Sequence, residues 1–160
     1  MGRKGLAHPF QTCVRGIQGS LIPVVFISIV VGYGTAVQAT PVFGWLVEQV
    51  LSLDMNPYLL TFVAVNLLAG MTANGTGGVT LFMENFGATI LGNPAINVGA
   101  LHRIAAISGA GFDSLPHNGA IAFQLSVFKL SYKDGYFQQF MMSVLVNLLA
   151  GLLAVLMAVV

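Results

Sequence analysis

The stretch "GAGFDSLPHNGA", residues 109–120, gathers Asp113, Ser114, Pro116, His117 and Asn118 in a chain of 160 residues that is 56% hydrophobic and only 7% charged. An ordinary soluble domain carries roughly 25% charged residues. Apolar sequence flanks the cluster on both sides, from about residue 98 to 108 and from 119 to 130. Whether the cluster is a surface loop or an interruption inside a membrane-crossing helix decides the fold. Residues 16–47, 55–83 and 135–160 contain no Asp, Glu, Lys or Arg, and each stretch exceeds the roughly 20 residues that a spanning helix requires. The expected fold class is an all-α integral membrane protein, with residues 98–130 as one crossing made of two half-helices.

A discontinuous transmembrane helix leaves free carbonyls at the end of its first half and free N–H groups, with a positive dipole end, at the start of its second. Pro116 suits a first helical turn, where no N–H donor is needed, and pushes Leu115 out of helical geometry. The second half is therefore expected to start near Pro116, with the amides of His117, Asn118 and Gly119 turned toward the membrane centre and ready for an anion.

The segment "NPYLLTFVAVNLLAGMTANGTGGVTLFMENFGATILGNP", residues 56–94, holds a second interruption, Asn74-Gly75-Thr76-Gly77-Gly78. Three glycines in four residues end a helix. The arm from Tyr58 to Ala73 barely reaches across a bilayer and the arm from Val79 to Leu91 does not. Residues 57–92 are thus expected to form a re-entrant hairpin, entered from the outer face, with its polar tip at mid-depth. Irregular backbone there must be surrounded by protein or line a water-filled cavity.

A first span is expected over 17–38. Arg3, Lys4 and Arg15 precede it, which places the N-terminus in the cytoplasm. Residues around Trp45 read as a short helix at the opposite interface. "VGYGTA", residues 31–36, invites comparison with a potassium-channel filter, but no spanning helix precedes it; Gly32 and Gly34 are better read as sites of close helix packing or local unwinding. Lys129 and Lys133 fall at the inner face if the hairpin does not cross, and residues 136–160 form the last span. The chain is read as one domain, with a bacterial inner-membrane, multi-pass location.

Residues 55–100 contain no Lys or Arg and one acid, Glu84, so an anionic substrate has to be held by dipoles and by neutral donors. The candidate substrate-binding residues are Asn74, Thr76, Gly77 and Gly78 at the hairpin tip and Ser114, Asn118 and Gly119 at the break. Asp113 and His117 are the candidate proton-coupling residues, because ionisable groups at this depth are costly; the structural alternative is that Asp113 caps a helix end and His117 is a neutral buried hydrogen-bonder. His102 and Arg103 read as structural, Met71 as filler, and Glu84 as open between the two. Ser114 and His117 lack the G-x-S-x-G elbow of a hydrolase, so no enzyme activity is expected. A net charge of +1 excludes a basic nucleic-acid surface. The lone Cys13 has no metal-ligand spacing to any histidine, and no metal or cofactor is expected.

The run "GFDSLPHNGAI" together with "LHRIAAISGAG" just before it resembles the gluconate permease family, the gluconate:proton symporters of bacterial inner membranes. "GYGTAVQATPVF" and "GMTANGTGGVTLFMENFG" are weaker matches, and the tip differs in its hydroxyl pattern from the Ser-Ala-Ser-Gly-Gly frequent in that family. The resemblance implies an ion-transporter-type fold of two inverted repeats, each with a hairpin and a broken helix, moving a gluconate-like hydroxy-carboxylate with protons. It covers only the C-terminal part of such permeases, which implies a missing N-terminal half or a homo-oligomer. The alternative is a truncated or partner-subunit membrane fragment without transport activity of its own.

Overall fold

The computed structural model describes residues 9–160, apart from the side chains of residues 22, 23, 26, 27, 30, 31, 34 and 51. Arg3 and Lys4, on which the expected orientation partly rests, and Gly34 lie outside the described residues. Among the described residues all regular structure is helical: α1 (Pro9–Gln38), α2 (Pro41–Leu51), α3 (Pro57–Thr72), α4 (Gly75–Leu91), α5 (Val98–Gly109), a single 3-10 turn (Phe112–Ser114), α6 (Gly119–Phe128), α7 (Tyr132–Gln139), a π-helical stretch (Phe140–Leu145) and α8 (Val146–Val159).

The helix starts follow from local chemistry. An Asn or Thr side chain that accepts from an amide two or three residues on satisfies one of the orphan donors of the first turn. Thr40 does this for Phe43 at 3.4 Å, Asn56 for Tyr58 at 2.9 Å, Asn74 for Gly77 at 3.2 Å, Asn97 for Ala100 at 3.1 Å and Asn118 for Ala120 at 2.6 Å. Pro41 and Pro57 follow their caps at the first helical position, where a missing N–H costs nothing. Four successive helices, α3 to α6, therefore begin on an asparagine.

The hairpin of α3 and α4 turns more tightly than the glycines suggest. Only Ala73 and Asn74 separate the helices, and Gly75-Thr76-Gly77-Gly78 is the first turn of α4. The left-handed residue at the turn is Ala73, with φ 51°, and the amides of Ala73 and Asn74 both return to the carbonyl of Ala69. Glycine is needed for proximity: a Cβ on Gly78 would stand 2.5 Å from the backbone N of Ala69 and 2.6 Å from its Cα.

α3 lies at the centre, packed against α4, α5, α8, α1 and the 3-10 turn. It is apolar on all sides, as a surrounded helix should be, and its buried hydroxyls are spent inside it: Thr61 donates to Pro57 O at 2.7 Å and Thr72 to Leu68 O at 2.8 Å. Val65, Phe82, Phe86 and Ile104 form the core, with the two phenylalanine rings stacked at 5.2 Å. The Tyr58 hydroxyl accepts from the Asn97 amide at 2.8 Å, joining the starts of α3 and α5. Phe43, Val47 and Val50 of α2 are buried while Trp45 is exposed.

Two expectations are corrected. The second half-helix begins at Gly119 and not near Pro116, because the Asn118 amide donates to Leu115 O at 2.8 Å and closes a four-residue turn with Pro116 in its second place. Neither packing nor unwinding accounts for Gly32: α1 runs through it without a break, and a Cβ there would meet nothing within 4 Å. By length and composition, the described residues contain one stretch fit to cross a bilayer, Tyr132–Val159, whose most apolar 18 residues have a mean hydropathy of 2.5.

Candidate functional site

The hairpin tip and the interrupted stretch meet backbone to backbone. A Cβ on Gly75, the first residue of α4, would collide with the carbonyl of Gly109, the last residue of α5; one on Gly109 would stand 3.2 Å from Gly75 O. This crossing of two glycines brings together what the sequence separates by more than thirty residues.

An open hollow of about 400 Å³ lies at the crossing, lined by Gly75, Thr76, Val79, Ala106, Gly109, Ala110 and Asp113. The bonds that cap α4 go to the amides of Gly77 and Gly78, the latter donating to Asn74 O at 2.9 Å. Those of Gly75 and Thr76, both on the hollow, engage no other described residue. The hollow thus combines two N-terminal helix donors, the exposed Thr76 hydroxyl and one carboxylate. Ser114 Oγ donates to Asp113 Oδ1 at 2.8 Å, and residues 104–128 contain no Lys or Arg to neutralise that carboxylate.

On the other side of the crossing, the residues are committed to holding the elements together. The Asn118 side chain accepts from Ala120 N, donates to Ala73 O at the hairpin tip at 2.9 Å, and donates to Asp113 O by a second, short bond. It ties hairpin, break and α6 in one joint and is buried. His117 Nε2 stands 2.7 Å from Gly70 O in the last turn of α3. A carbonyl only accepts, so Nε2 carries the proton and Nδ1 is left as the basic nitrogen. Of the remaining candidates, Gly77 packs against its own cap Asn74, Gly78 against Ala69, and Gly119 is the buried first residue of α6.

Other partners of the break come from the last helical stretch. Tyr132 donates to Pro116 O at 3.0 Å, Tyr136 to Ser114 O at 3.2 Å, and Asn147 to Ala110 O at 3.3 Å. Three carbonyls of the segment between α5 and α6 thus accept from side chains of another segment. The sequence carried signals for them: two tyrosines at helical spacing, and one amide in an otherwise apolar final run. Asn66 donates to Phe62 O at 2.8 Å, and its buried Oδ1 lies against Gly111 without a hydrogen-bond donor. Glu84 is exposed on α4, and His102 borders a separate apolar hollow of about 240 Å³ with Val79, Met83 and Leu101. Cys13 is free and exposed.

No protein-family model matches the chain, and no solved structure matches it. It is similar to the uncharacterized transporter YxjC of Bacillus subtilis (strain 168), with 28% identity over 125 residues. The matched region is 76% of this chain but only 26% of that protein. The chain therefore corresponds to about a quarter of the length of a bacterial transporter.

Proposed function

We propose that this chain is the hairpin-and-break part of a multi-pass secondary carrier in a bacterial inner membrane, which moves a small hydroxy-carboxylate of the gluconate type together with protons. One observation carries this reading: the hollow where the hairpin tip crosses the break combines unengaged helix N-terminal amides and the Thr76 hydroxyl with the uncompensated carboxylate of Asp113. Helix N-termini suit carboxylates, and paired interruptions near mid-membrane are where such carriers bind. Three facts support the membrane setting. At 1.5 Å per residue, α3 with 16 residues and α4 with 17 fall short of a hydrocarbon core about 30 Å thick, as the arms of a re-entrant hairpin do. Tyr132–Val159 is long and apolar enough to cross. The similar protein is a transporter.

The chemistry of coupling follows from the hollow. An anionic substrate seated on the α4 amides would face the Asp113 carboxylate, and two like charges at close range in a low-dielectric site repel strongly. Protonating Asp113 removes the repulsion, so proton and substrate enter together and leave together. Ser114 holds the carboxyl in place, Asn74 and Asn118 hold the helix starts that present Thr76 and Gly119, and His117 is the second group able to change protonation. The N-terminus lies in the cytoplasm in this arrangement. A second reading, a partner subunit with no transport of its own, is favoured by the quarter-length correspondence; on both readings the 160-residue chain requires further protein to complete the pathway.

The test is uptake of labelled gluconate into proteoliposomes with and without an inward pH gradient. The chain alone should give no saturable uptake; combined with the N-terminal part of a matching permease it should accumulate substrate. In the complete assembly Asp113→Asn should still exchange substrate but lose accumulation driven by the gradient. Wild-type accumulation by Asp113→Asn would remove the proton from this residue, and saturable uptake by the chain alone would overturn the partial-carrier reading.

A further inference from the structure

The hollow at the crossing continues along the surface of the chain. Val79 and Ala106 line it, and they also line the apolar hollow of about 240 Å³. That second hollow extends to Leu91, the last residue of α4, and Val98, the first residue of α5, with Met83 and Leu101 in between. Together the two form a furrow between α4 and α5. Val79 to Leu91 covers about 18 Å of helix axis, at about 1.5 Å per residue. The furrow thus leads from the helix ends beside residues 92–97 to the amides of Gly75 and Thr76.

The floor of the furrow is apolar, but the helix that walls it on one side carries a polar row. Thr76, Thr80 and Glu84 follow one another at intervals of four residues, so they share a face of α4, and all three are exposed. None of these side chains has a hydrogen bond or ion pair with any described residue. Other helix hydroxyls of this chain turn back on their own backbone, as those of Thr61, Thr72 and Ser143 do. Thr80 has the Thr76 carbonyl in the same relation and leaves it alone. Across the furrow, His102 of α5 is exposed and belongs to the lining.

In hydrocarbon, an unsatisfied hydroxyl is costly and a carboxylate more so. Polar groups at that depth border water or protein. An apolar cavity stays dry, whereas one with several polar partners holds water. Thr76 belongs both to the row and to the hollow, so the row and the furrow reach the candidate site together.

We propose that the furrow between α4 and α5 is a water-filled path by which a small solute reaches the hollow from the outer face, with Thr80 and Glu84 keeping it wet. This rests on the membrane placement of the hairpin in the carrier reading, and not on the identity of the solute.

The test is the reaction of single cysteines with a charged, impermeant thiol reagent added outside intact cells, with Cys13 changed to Ser and no substrate present. Cysteines replace Thr80, Glu84 and Asn93, and also Leu149 and Leu153, which are exposed on the apolar α8. Thr80→Cys and Glu84→Cys should react at least about tenfold faster than Leu149→Cys and Leu153→Cys, because hydrocarbon excludes a charged reagent. Ala106→Trp, at the exposed junction of the two hollows, should slow the labelling of Thr76→Cys severalfold and leave that of Asn93→Cys unchanged. Unreactive Thr80→Cys and Glu84→Cys beside a reactive Asn93→Cys would overturn the path and leave the hairpin standing. Leu149→Cys as reactive as Thr80→Cys would remove the membrane setting and the path with it. Reactivity at 80 and 84 that disappears when the chain is combined with the N-terminal part of a matching permease would make the row a docking face, which also overturns the path.

Discussion

Replacing Asn118 by leucine should destabilise the chain by about 4 kcal/mol, far more than the loss of an ordinary helix cap. Its side chain serves three backbone groups in three elements: the Ala73 carbonyl of the hairpin, the Asp113 carbonyl of the break and the Ala120 amide of α6. Leaving a buried donor or acceptor unpaired costs roughly 1–3 kcal/mol each, and the lost cap adds about 1 kcal/mol. Asn118→Asp should fall between the two, since it keeps the cap but turns a charged acceptor toward two carbonyls. Asn97→Leu is the control, because that exposed cap serves only the Ala100 amide and should cost about 1 kcal/mol. Thermal or chemical unfolding followed by circular dichroism in one detergent measures both. Equal losses at 118 and 97 would mean that Asn118 is a cap and not a joint.

Gly78→Ala should cost about 3 kcal/mol, whereas Gly87→Ala, about two and a half turns further along the same helix, should stabilise by a few tenths to about 1 kcal/mol. An added methyl at Gly78 meets Ala69 N, Cα and Cβ at 2.5, 2.6 and 2.7 Å. Two of these atoms are backbone, so relief requires α3 and α4 to part at the tip, and overpacking of this kind typically costs 1–3 kcal/mol or roughly the top of that range here. At Gly87 the nearest atom is the mobile Met83 Cε at 3.2 Å, which can turn aside, leaving the gain of about 0.5–1 kcal/mol for removing glycine from a helix interior. The opposite signs, read in the same unfolding assay, separate steric contact from helix propensity.

The helical class was legible because apolar length and low charge leave a chain little else to form, and because Pro57, Asn74 and Pro116 punctuate it visibly. The interruption at 109–118 was legible for the same reason. What lay beyond the sequence was the partnering. The asparagines that read as donors for a substrate also cap helices, Asn74 through the Gly77 amide and Asn118 through that of Ala120, and only the position of the next helix start reveals that role. Glycines at 75, 77 and 78 suggested a loop, yet they form the first turn of α4; at Gly75 and Gly78 the close approach to Gly109 and Ala69 demands a missing side chain just as a turn does. The roles of Tyr132, Tyr136 and Asn147 depend on which carbonyls the break leaves free, and that is fixed only when the last helical stretch packs beside it.

The interruption also explains the spacing of candidate residues. Thr76 and Asp113 share the hollow, while His117 and Asn118 lie on the joint at its other side. On the proposed carrier reading, substitutions at Thr76 and Asp113 should act on binding and coupling, and those at Asn118 on how firmly the hairpin is held.

The central claim is that the hairpin enters and leaves by one membrane face while the interrupted segment crosses to the other. Single cysteines replacing Asp54, Asn93 and Ser131, all exposed, in a background with Cys13 changed to Ser, can be labelled by an impermeant thiol reagent in intact cells and in inside-out vesicles. The expected result is labelling of positions 54 and 93 from the outer face and of 131 only from the inner face. Positions 54 and 93 labelled from opposite faces, or 93 and 131 from the same one, would contradict it.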